Sequence, residues 1–281
     1  MSGSAGPTEA TRVARDYYNS DDADNFYAII WGGEDIHVGL YETGEDPIFD
    51  ASRRTVERMA SLLPRLGSDT RVLDLGSGYC GAARRLAGTY GCKVVGLNLS
   101  EKENERARQL NEAQGLGDCV EVVDGSFEAI AAPDETFDVV WSQDAILHSG
   151  DRQRVLSEVA RVLKPGGQFV FTDPMQSDDC PVGVLQPILD RIHLQSLGSP
   201  GFYRERLAAL GLREERFLEL TPQLVMHYSR VLQETEKRQD EFGGKVSAAY
   251  LDRMKKGLGH WIDGGEKGHL AWGIFRFSKP A

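Results

Sequence analysis

Long apolar runs and an excess of basic residues are both missing from this 281-residue sequence. No stretch approaches the roughly 20 apolar residues of a membrane-spanning helix, and the first residues lack the basic-then-apolar pattern of a secretory signal. The sequence has 32 Lys and Arg residues against 43 Asp and Glu, a net charge of −11. This balance argues against nucleic acid as a partner, because phosphates require a basic face. We therefore expect a cytoplasmic protein that binds neither a membrane nor nucleic acid.

Cysteine is also scarce, and its spacing excludes two further classes. The four cysteines are Cys80, Cys92, Cys119 and Cys180. They lack the spacing of zinc ligands, and a chain of this length does not need disulfides for stability. We expect free thiols and no bound metal.

The sequence is organised around the stretch 71–81, which has the pattern of a buried strand, a glycine loop and the start of a helix. The spacing Gly76-x-Gly78-x-x-Gly81 allows a sharp turn and a close approach to a ligand, because no Cβ obstructs the backbone. Such a loop delivers a ligand to the positive end of the following helix. Taken alone, the spacing is a weak signal that several nucleotide ligands share.

Strands and helices alternate after this loop. Strands are predicted at 71–75, 93–99, 120–123, 137–141, 168–173, 212–220 and 270–277. Alternation of this kind predicts an α/β, Rossmann-like fold with a doubly wound, mostly parallel sheet of seven strands. Ligands bind beyond the carboxyl ends of such strands, and most candidate residues named below follow a strand.

The chain divides into four predicted segments. Residues 1–65 form an N-terminal helical lid segment, 66–175 the cofactor-binding core, 176–201 a cap inserted after strand five, and 202–281 the rest of the sheet with a further helical cap. The stretch 24–41 is rich in aromatic residues, is broken by glycines, and does not have the pattern of a regular element. It is compatible with an extension packed on the core and equally with a lid whose Trp31, His37 and Tyr41 line a pocket.

Four stretches together resemble the class I S-adenosylmethionine-dependent methyltransferases: 72–78, 124–125, 137–144 and 163–167. A second set resembles the sarcosine/dimethylglycine N-methyltransferases: 17–19, 26–40, 141–144, 173–176, 178–181, 188–194 and 268–275. This second resemblance spans nearly the whole chain. It implies methylation of sarcosine to dimethylglycine and then to glycine betaine, an osmolyte, with S-adenosyl-L-methionine as donor and S-adenosyl-L-homocysteine as product.

The resemblance implies which residues hold the cofactor. They are Asp74, Gly76 and Gly78 for the methionine part, Asn98 and Leu99 for the ribose and one adenine face, Asp124, Gly125, Ser126 and Phe127 for the adenine end, and Gln143 near the sulfonium. Three have simpler alternatives: a loop cap for Asp74, a turn residue for Asp124 and a core aromatic for Phe127.

Asn98 departs from the usual pattern of the class, in which an acid ends strand two and holds both ribose hydroxyls. An amide can accept from one hydroxyl and donate to the other, without the charge-assisted strength of a carboxylate. The same residue argues against NAD, whose binding pattern has an acid at this distance.

Methyl transfer to an amino acid requires the neutral amine, which is the minor form at pH 7. We therefore predict a rate that rises toward alkaline pH. The catalytic candidates are Gln143, beside the sulfonium, and Asp144 with His148, which would share one face of a helix after strand four. An N-cap with a local ion pair is the alternative for Asp144 and His148.

Arg191 is the candidate for the substrate carboxylate, with a surface ion pair as its alternative. Trp31, Tyr41 and Trp141 are candidates for aromatic contacts with the ammonium, although each also suits a core position. The predicted partner is a small-molecule amine, and the predicted state is a monomer or a small homo-oligomer.

Three other functions stay open at this point. One is a methyltransferase of the same fold that acts on another amine or on a sugar hydroxyl, for which a general base would be obligatory. Another is an NAD-dependent oxidoreductase, against which Asn98 argues. The last is a non-catalytic S-adenosylmethionine-binding module, against which the polar cluster around Gln143 argues.

Overall fold

A central sheet of seven strands carries the fold in the computed structural model, which describes residues 8–281. Its strands are β1 (Arg71–Leu75), β2 (Lys93–Asn98), β3 (Val120–Asp124), β4 (Phe137–Gln143), β5 (Leu163–Thr172), β7 (Arg213–Glu219) and β9 (Gly273–Ser278), while β6 (Met175–Gln176) and β8 (Leu270–Ala271) form a separate pair. The strand order is β3-β2-β1-β4-β5-β9-β7; β9 pairs antiparallel with β5 and β7, and every other pair in this sheet is parallel. The predicted Rossmann-like fold is confirmed.

The α-helices of the described part are α1 (Glu9–Tyr18), α2 (Asp21–Trp31), α3 (Ile48–Ser61), α4 (Gly81–Tyr90), α5 (Glu101–Ala113), α6 (Arg152–Val162), α7 (Gln186–Arg191), α8 (Pro200–Ala209), α9 (Thr221–Lys237) and α10 (Ala248–Glu266). None of them is both long and apolar enough to cross a membrane. Residues 1–7, which begin the predicted lid segment 1–65, lie outside the described residues.

Both faces of the sheet are buried, as alternation along β1 shows. Leu73 and Leu75 pack in one cluster with Phe169 and with the apolar face of α6. Val72 points to the opposite face and packs with Leu86 of α4 and the buried face of α3. Each such side chain contributes about 1.5–3 kcal/mol when fully buried, so the helices are held on both sides of the sheet.

A separate cluster joins the two ends of the chain. Phe26 and Trp31 of α2 pack with Val231 of α9 and with Tyr250 and Met254 of α10. The cap helix α7 packs on α10 as well. The predicted N-terminal segment and the predicted helical caps therefore form one helical layer.

The sequence analysis missed α2 within the stretch 24–41. Ser20 caps this helix by accepting a hydrogen bond from the Ala23 N–H, and Asp21, Asp22 and Asp24 stand in its first turn, where acids favour a helix. Gly32 ends it with a φ of 82°. Gly32 and Gly33 therefore mark the end of the helix, and residues 32–41, which include Gly39, are irregular as expected.

Two further local predictions are wrong. The strand predicted at 168–173 begins earlier, at Leu163, with a bulge between the pairs Phe137–Leu163 and Val139–Gln168. The helix expected to open at Asp144 does not form, because Asp144 has a φ of +52° and only a short 3-10 turn, Ile146–His148, follows before α6 begins at Arg152.

Candidate active site

The glycine loop turns directly after β1 and lies against two other segments. Gly76 and Gly78 have φ values of +69° and +50°, where side chains are rarely tolerated. A Cβ on Gly76 would collide with the Cβ of Ala145, and one on Gly78 would lie 3.1 Å from Ile36 Cδ1. Only glycine allows the loop backbone to approach both segments so closely.

A small cavity of about 60 Å³ lies beside this loop, and we call it the cofactor cavity. Six of the residues implied by the resemblance border it: Gly76, Gly78, Asn98, Leu99, Phe127 and Gln143. Ala14, Arg15 and Tyr18 of α1 also border it, so α1 closes one side. The cofactor residues expected on three neighbouring strands are thus brought together.

Four implied cofactor residues do not border this cavity. Asp74 is buried within β1, and burial raises the pKa of its carboxyl to about 7. Asp124 accepts hydrogen bonds from Asn104 Nδ2 (2.8 Å) and Arg108 Nη2 (2.6 Å). Gly125 and Ser126 follow it in the chain. Their contact with adenine stays a prediction.

Glu103 is a site residue that the sequence analysis missed. It borders the cofactor cavity, and its Oε2 accepts a 2.9 Å hydrogen bond from Asn98 Nδ2. Burial raises the pKa of this carboxyl to about 7. A carboxyl group, absent from the end of β2, therefore lies beside Asn98 in the first turn of α5. The signal in the sequence was a Glu five residues after Asn98.

The positive end of α4 faces the acidic residues Glu34 and Asp35. A Cβ on Gly81 would lie 2.8 Å from the carbonyl carbon of Glu34 and closer still to Asp35 Oδ1. Burial tends to raise the pKa of Asp35, but His37 and Arg53 outweigh burial and hold it below its usual value. Glu34 and Asp35 thus lie at this helix end, and delivery of a ligand to it by the loop stays a prediction.

Trp141 orients Gln143, its neighbour on the same face of β4. Trp141 is fully buried and its Nε1 donates a 2.9 Å hydrogen bond to Gln143 Oε1. Because the carbonyl oxygen is engaged, the side-chain NH₂ group of Gln143 is left available, and its Nε2 has no partner among the described residues. The predicted aromatic contact of Trp141 with substrate is wrong, since the ring is fully buried in the core.

Asp144 and His148 do not form the predicted pair. The Asp144 carboxylate accepts from the Val38 N–H (2.7 Å) and from Trp272 Nε1 (2.8 Å). His148 Nε2 instead lies 3.1 Å from Tyr18 Oη. The two residues do not share a helical face, because the chain turns at Asp144. Asp144 therefore does not orient His148 as a general base, and the alternative ion pair between them is not formed either.

Burial and the nearby Arg191 lower the pKa of His148 to about 4. Its imidazole is therefore neutral at pH 7. Burial raises the pKa of Asp144, and the hydrogen bonds from Trp272 and Val38 offset part of that shift.

A larger cavity of about 770 Å³ adjoins the cofactor cavity, and we call it the acceptor cavity. The residues that border both cavities are Ala14, Tyr18, Ile36, Asp144 and His148. Its wall is aromatic: Tyr17, Tyr18, Tyr27, Trp31, Tyr228, Tyr250 and Trp261 border it. Within residues 8–281, no three His, Cys, Asp or Glu side chains are grouped so as to hold a metal ion.

Trp31, His37 and Arg191 border the acceptor cavity, whereas Tyr41 does not. Burial would lower the pKa of His37, but the carboxylates of Asp35 and Asp144 outweigh burial and raise it. Within the described chain, Arg191 has no carboxylate within ion-pair distance, and its Nη2 lies 3.0 Å from Met254 Sδ. The predicted surface ion pair of Arg191 is therefore absent there.

His227 is a second residue that the sequence analysis missed. Its Nδ1 accepts hydrogen bonds from the Gly39 N–H (3.2 Å) and Tyr41 Oη (2.8 Å), so its ring proton is on Nε2. That Nε2 is buried without a partner in the described residues, and His227 borders the acceptor cavity. Burial lowers the pKa of His227 to about 3. Tyr41 thus holds the tautomer of His227 instead of contacting the cavity.

Comparison with known proteins defines the class first. A family model described as a methyltransferase domain matches residues 73–171. With the strand order and the glycine loop, this match makes the protein a class I S-adenosylmethionine-dependent methyltransferase. A sarcosine/dimethylglycine N-methyltransferase of Halorhodospira halochloris is 62% identical over 271 residues, 96% of this chain and 97% of that protein. The chain belongs to the sarcosine/dimethylglycine N-methyltransferase family.

Two further comparisons agree over nearly the full length. A sarcosine/dimethylglycine N-methyltransferase of Aphanothece halophytica is 55% identical over 96% of this chain and 97% of its own length. A crystal structure from Galdieria sulphuraria, provisionally described as a sarcosine dimethylglycine methyltransferase, superposes with a TM-score of 0.90. It is 45% identical and covers 94% of this chain and 99% of that one.

Proposed function

We propose that the protein methylates the nitrogen of sarcosine and of dimethylglycine, with S-adenosyl-L-methionine as donor, and so forms glycine betaine. The observation that carries this proposal is the junction of the two cavities, where Tyr18, Asp144 and His148 border both. A methyl donor in one cavity and an amine in the other would meet there, shielded from water as the transfer requires. The two relatives at 62% and 55% identity carry names that fit this reaction.

The chemistry of the cofactor cavity suits S-adenosylmethionine. The Asn98–Glu103 pair offers an amide and a carboxyl group to the ribose hydroxyls, and Leu99 and Phe127 offer apolar faces to adenine. The free NH₂ group of Gln143 is a donor for an acceptor atom of the methionine part. When bound, S-adenosylmethionine supplies an electrophilic methyl group on a sulfonium.

We further propose that α1 is a lid over this cavity. A volume of about 60 Å³ is far below the roughly 300 Å³ or more of typical ligand sites. Because Ala14, Arg15 and Tyr18 of α1 form part of the wall, an outward movement of α1 would open the cavity. We therefore propose that, of the predicted lid segment 1–65, α1 is the part that acts as a lid.

In the acceptor cavity, Arg191 would hold the substrate carboxylate. Its guanidinium is a planar donor that matches a carboxylate, and it has no competing acid in the described chain. The Nε2–H of His227 is a second, neutral donor in the same cavity. The aromatic wall, including Trp31, would face the ammonium as methyl groups accumulate.

The low pKa of His148 decides how the amine loses its proton. The substrate ammonium has a pKa several units above 4. Transfer of its proton to this imidazole would cost about 1.4 kcal/mol for each unit of difference between the two pKa values. His148 is therefore a poor base, and we propose that the site selects the neutral amine from solution. His148 and Tyr18 then position its nitrogen at the junction, while the carboxylate of Asp144 stays bound to Val38 and Trp272.

We place the reaction in the cytoplasm and expect a monomer or a small homo-oligomer. The four cysteines are unpaired in the structure, which suits a reducing compartment. Size-exclusion chromatography with light scattering measures the oligomeric state.

Mass spectrometry of the reaction products tests the proposed function. The protein is incubated with S-adenosylmethionine and, in separate tubes, with glycine, sarcosine or dimethylglycine. Betaine from the last two, with little product from glycine, is the expected result. Absence of betaine from both tubes, while S-adenosylhomocysteine still binds, would overturn the choice of substrate but not the cofactor.

A further inference from the structure

Gly257 lies in the middle of α10, where glycine has a cost. Inside a helix, glycine is about 0.5–1 kcal/mol less favourable than alanine, so the helix itself gains nothing from it. A Cβ at this position would lie 2.5 Å from Cδ and 2.6 Å from Cζ of Arg191, and closer still to Nε. The side chain of Arg191 therefore lies directly over the backbone of Gly257.

The position of Arg191 leaves its charge free for a ligand. The chain has 43 acidic residues, yet the guanidinium contacts Met254 Sδ rather than a carboxylate in the described residues. Arg191 ends α7 and borders the acceptor cavity together with Gly257 and His148. The contacts with α10 therefore determine how far the guanidinium is from the cavity junction.

We propose that Gly257 is a positioning residue that sets the location of Arg191 and thereby selects acceptors with one carbon between carboxylate and amine. This inference rests on the proposed function, because it takes Arg191 as the carboxylate anchor. A side chain at position 257 displaces the guanidinium from α10. The carboxylate then no longer binds at the distance that brings the nitrogen to the junction, and the binding of the amino acid weakens.

The test is Gly257→Ala, with Gly259→Ala as its matched control. Both substitutions replace a glycine of α10, but a Cβ at position 259 has no atom within 4 Å. We expect Gly257→Ala to raise KM for dimethylglycine at least tenfold and to leave KM for S-adenosylmethionine unchanged. We expect Gly259→Ala to keep both wild-type values. Neither should lower the melting temperature, since alanine favours the helix.

A double-mutant cycle separates positioning from a general effect on packing. In an Arg191→Ala background, Gly257→Ala should raise KM for dimethylglycine no further, because the two residues act through one contact. The ratio of kcat/KM between dimethylglycine and the longer N,N-dimethyl-β-alanine should change at least threefold in Gly257→Ala and not in Gly259→Ala.

Two results would overturn the inference: a wild-type KM in Gly257→Ala, or an equal effect of that substitution with and without Arg191. Failure of the proposed function would appear separately, as a wild-type protein that makes no betaine. The wild-type reaction is therefore run beside every variant.

Discussion

The indole N–H of Trp141 donates a hydrogen bond to the amide oxygen of Gln143, so the orientation of that amide is set from inside the sheet. Trp141 is fully buried and Gln143 borders the cofactor cavity. A core residue thus determines which end of the amide a ligand meets. This contact can be tested without changing any group in the cavity itself.

We predict that Trp141→Phe weakens the binding of S-adenosylhomocysteine about threefold to tenfold, because the amide of Gln143 is then free to turn. Gln143→Glu should weaken it more, since this substitution replaces the donor with a carboxylate. Isothermal titration calorimetry measures both. Because loss of core volume also destabilises the protein, urea unfolding must show that Trp141→Phe is folded at the assay temperature. Unchanged affinity in a folded Trp141→Phe variant would contradict the role of this hydrogen bond.

Glu103→Gln should weaken the binding of S-adenosylhomocysteine, because the carboxyl group beside Asn98 is lost. The same change should stabilise the free protein at alkaline pH relative to the wild type. Burial raises the pKa of Glu103 to about 7, so the folded protein holds a proton that the unfolded chain releases above its lower pKa. The contribution of Glu103 to stability therefore declines as pH rises from about 4.5 through 7.

The difference in unfolding free energy between Glu103→Gln and wild type should grow in favour of the variant by up to about 3 kcal/mol between pH 5 and pH 8. Only the difference between the two proteins is diagnostic. His148 and His227 are neutral when folded but take up protons when unfolded near pH 6, so their contribution to stability rises with pH in both proteins. Urea unfolding at several pH values measures it. A pH-independent difference would mean that Glu103 is already ionised in the folded protein.

The rate with saturating cofactor should rise from pH 7 to pH 9 and should keep this rise in His148→Ala. The reason is that His148, with a pKa of about 4, is too weak a base to take the proton of the substrate ammonium, so the ammonium loses it to water before it binds. We expect His148→Ala to lower kcat by about tenfold to a hundredfold through lost positioning. A flat wild-type profile, or a variant that has lost the alkaline rise, would instead assign the proton transfer to His148.

The lid role of α1 predicts a specific effect of Thr11. The buried Thr11 Oγ1 donates a 3.0 Å hydrogen bond to Glu128 Oε1, which also accepts from Ser149 Oγ at 2.7 Å. We expect Thr11→Val to speed the dissociation of S-adenosylhomocysteine by threefold to tenfold, as measured by stopped-flow fluorescence. The neighbouring Arg12→Ala, which removes only an exposed pair with Glu9, should have no effect. Equal dissociation rates in Thr11→Val and Arg12→Ala would contradict the role of α1 as a lid.

Hydrogen exchange of α1 gives an independent measurement of the same lid. Exchange in residues 9–18 should slow when S-adenosylhomocysteine binds, while exchange in α8, none of whose residues borders either cavity, should not change. Equal slowing in both helices would indicate a general stabilisation rather than closure of a lid.

Local sequence pattern determined the sheet and the loop. Buried apolar runs such as 72–75 and 137–141, which alternate with stretches of helical periodicity, predict a parallel sheet covered on both sides. Gly76 and Gly78 could be assigned because a tight turn after a strand needs their φ values. The assignment of Asn98, Leu99, Phe127 and Gln143 came from the resemblance, and it agrees with the rule that the ends of parallel strands meet at one edge of the sheet.

The tertiary structure alone decided which side chains face the cavities. Trp141 and Tyr41 were candidates for ligand contacts, yet each holds another residue. Trp141 lies on the buried face of β4 and donates to Gln143, and Tyr41 packs against α9, where it donates to His227. Asp144 and His148 are four residues apart, but a positive φ separates them and gives each a distant partner. Contacts such as Gln143–Trp141, His227–Tyr41 and Arg191–Gly257 depend on side-chain direction or on segments far apart in the chain, so periodicity could not predict them.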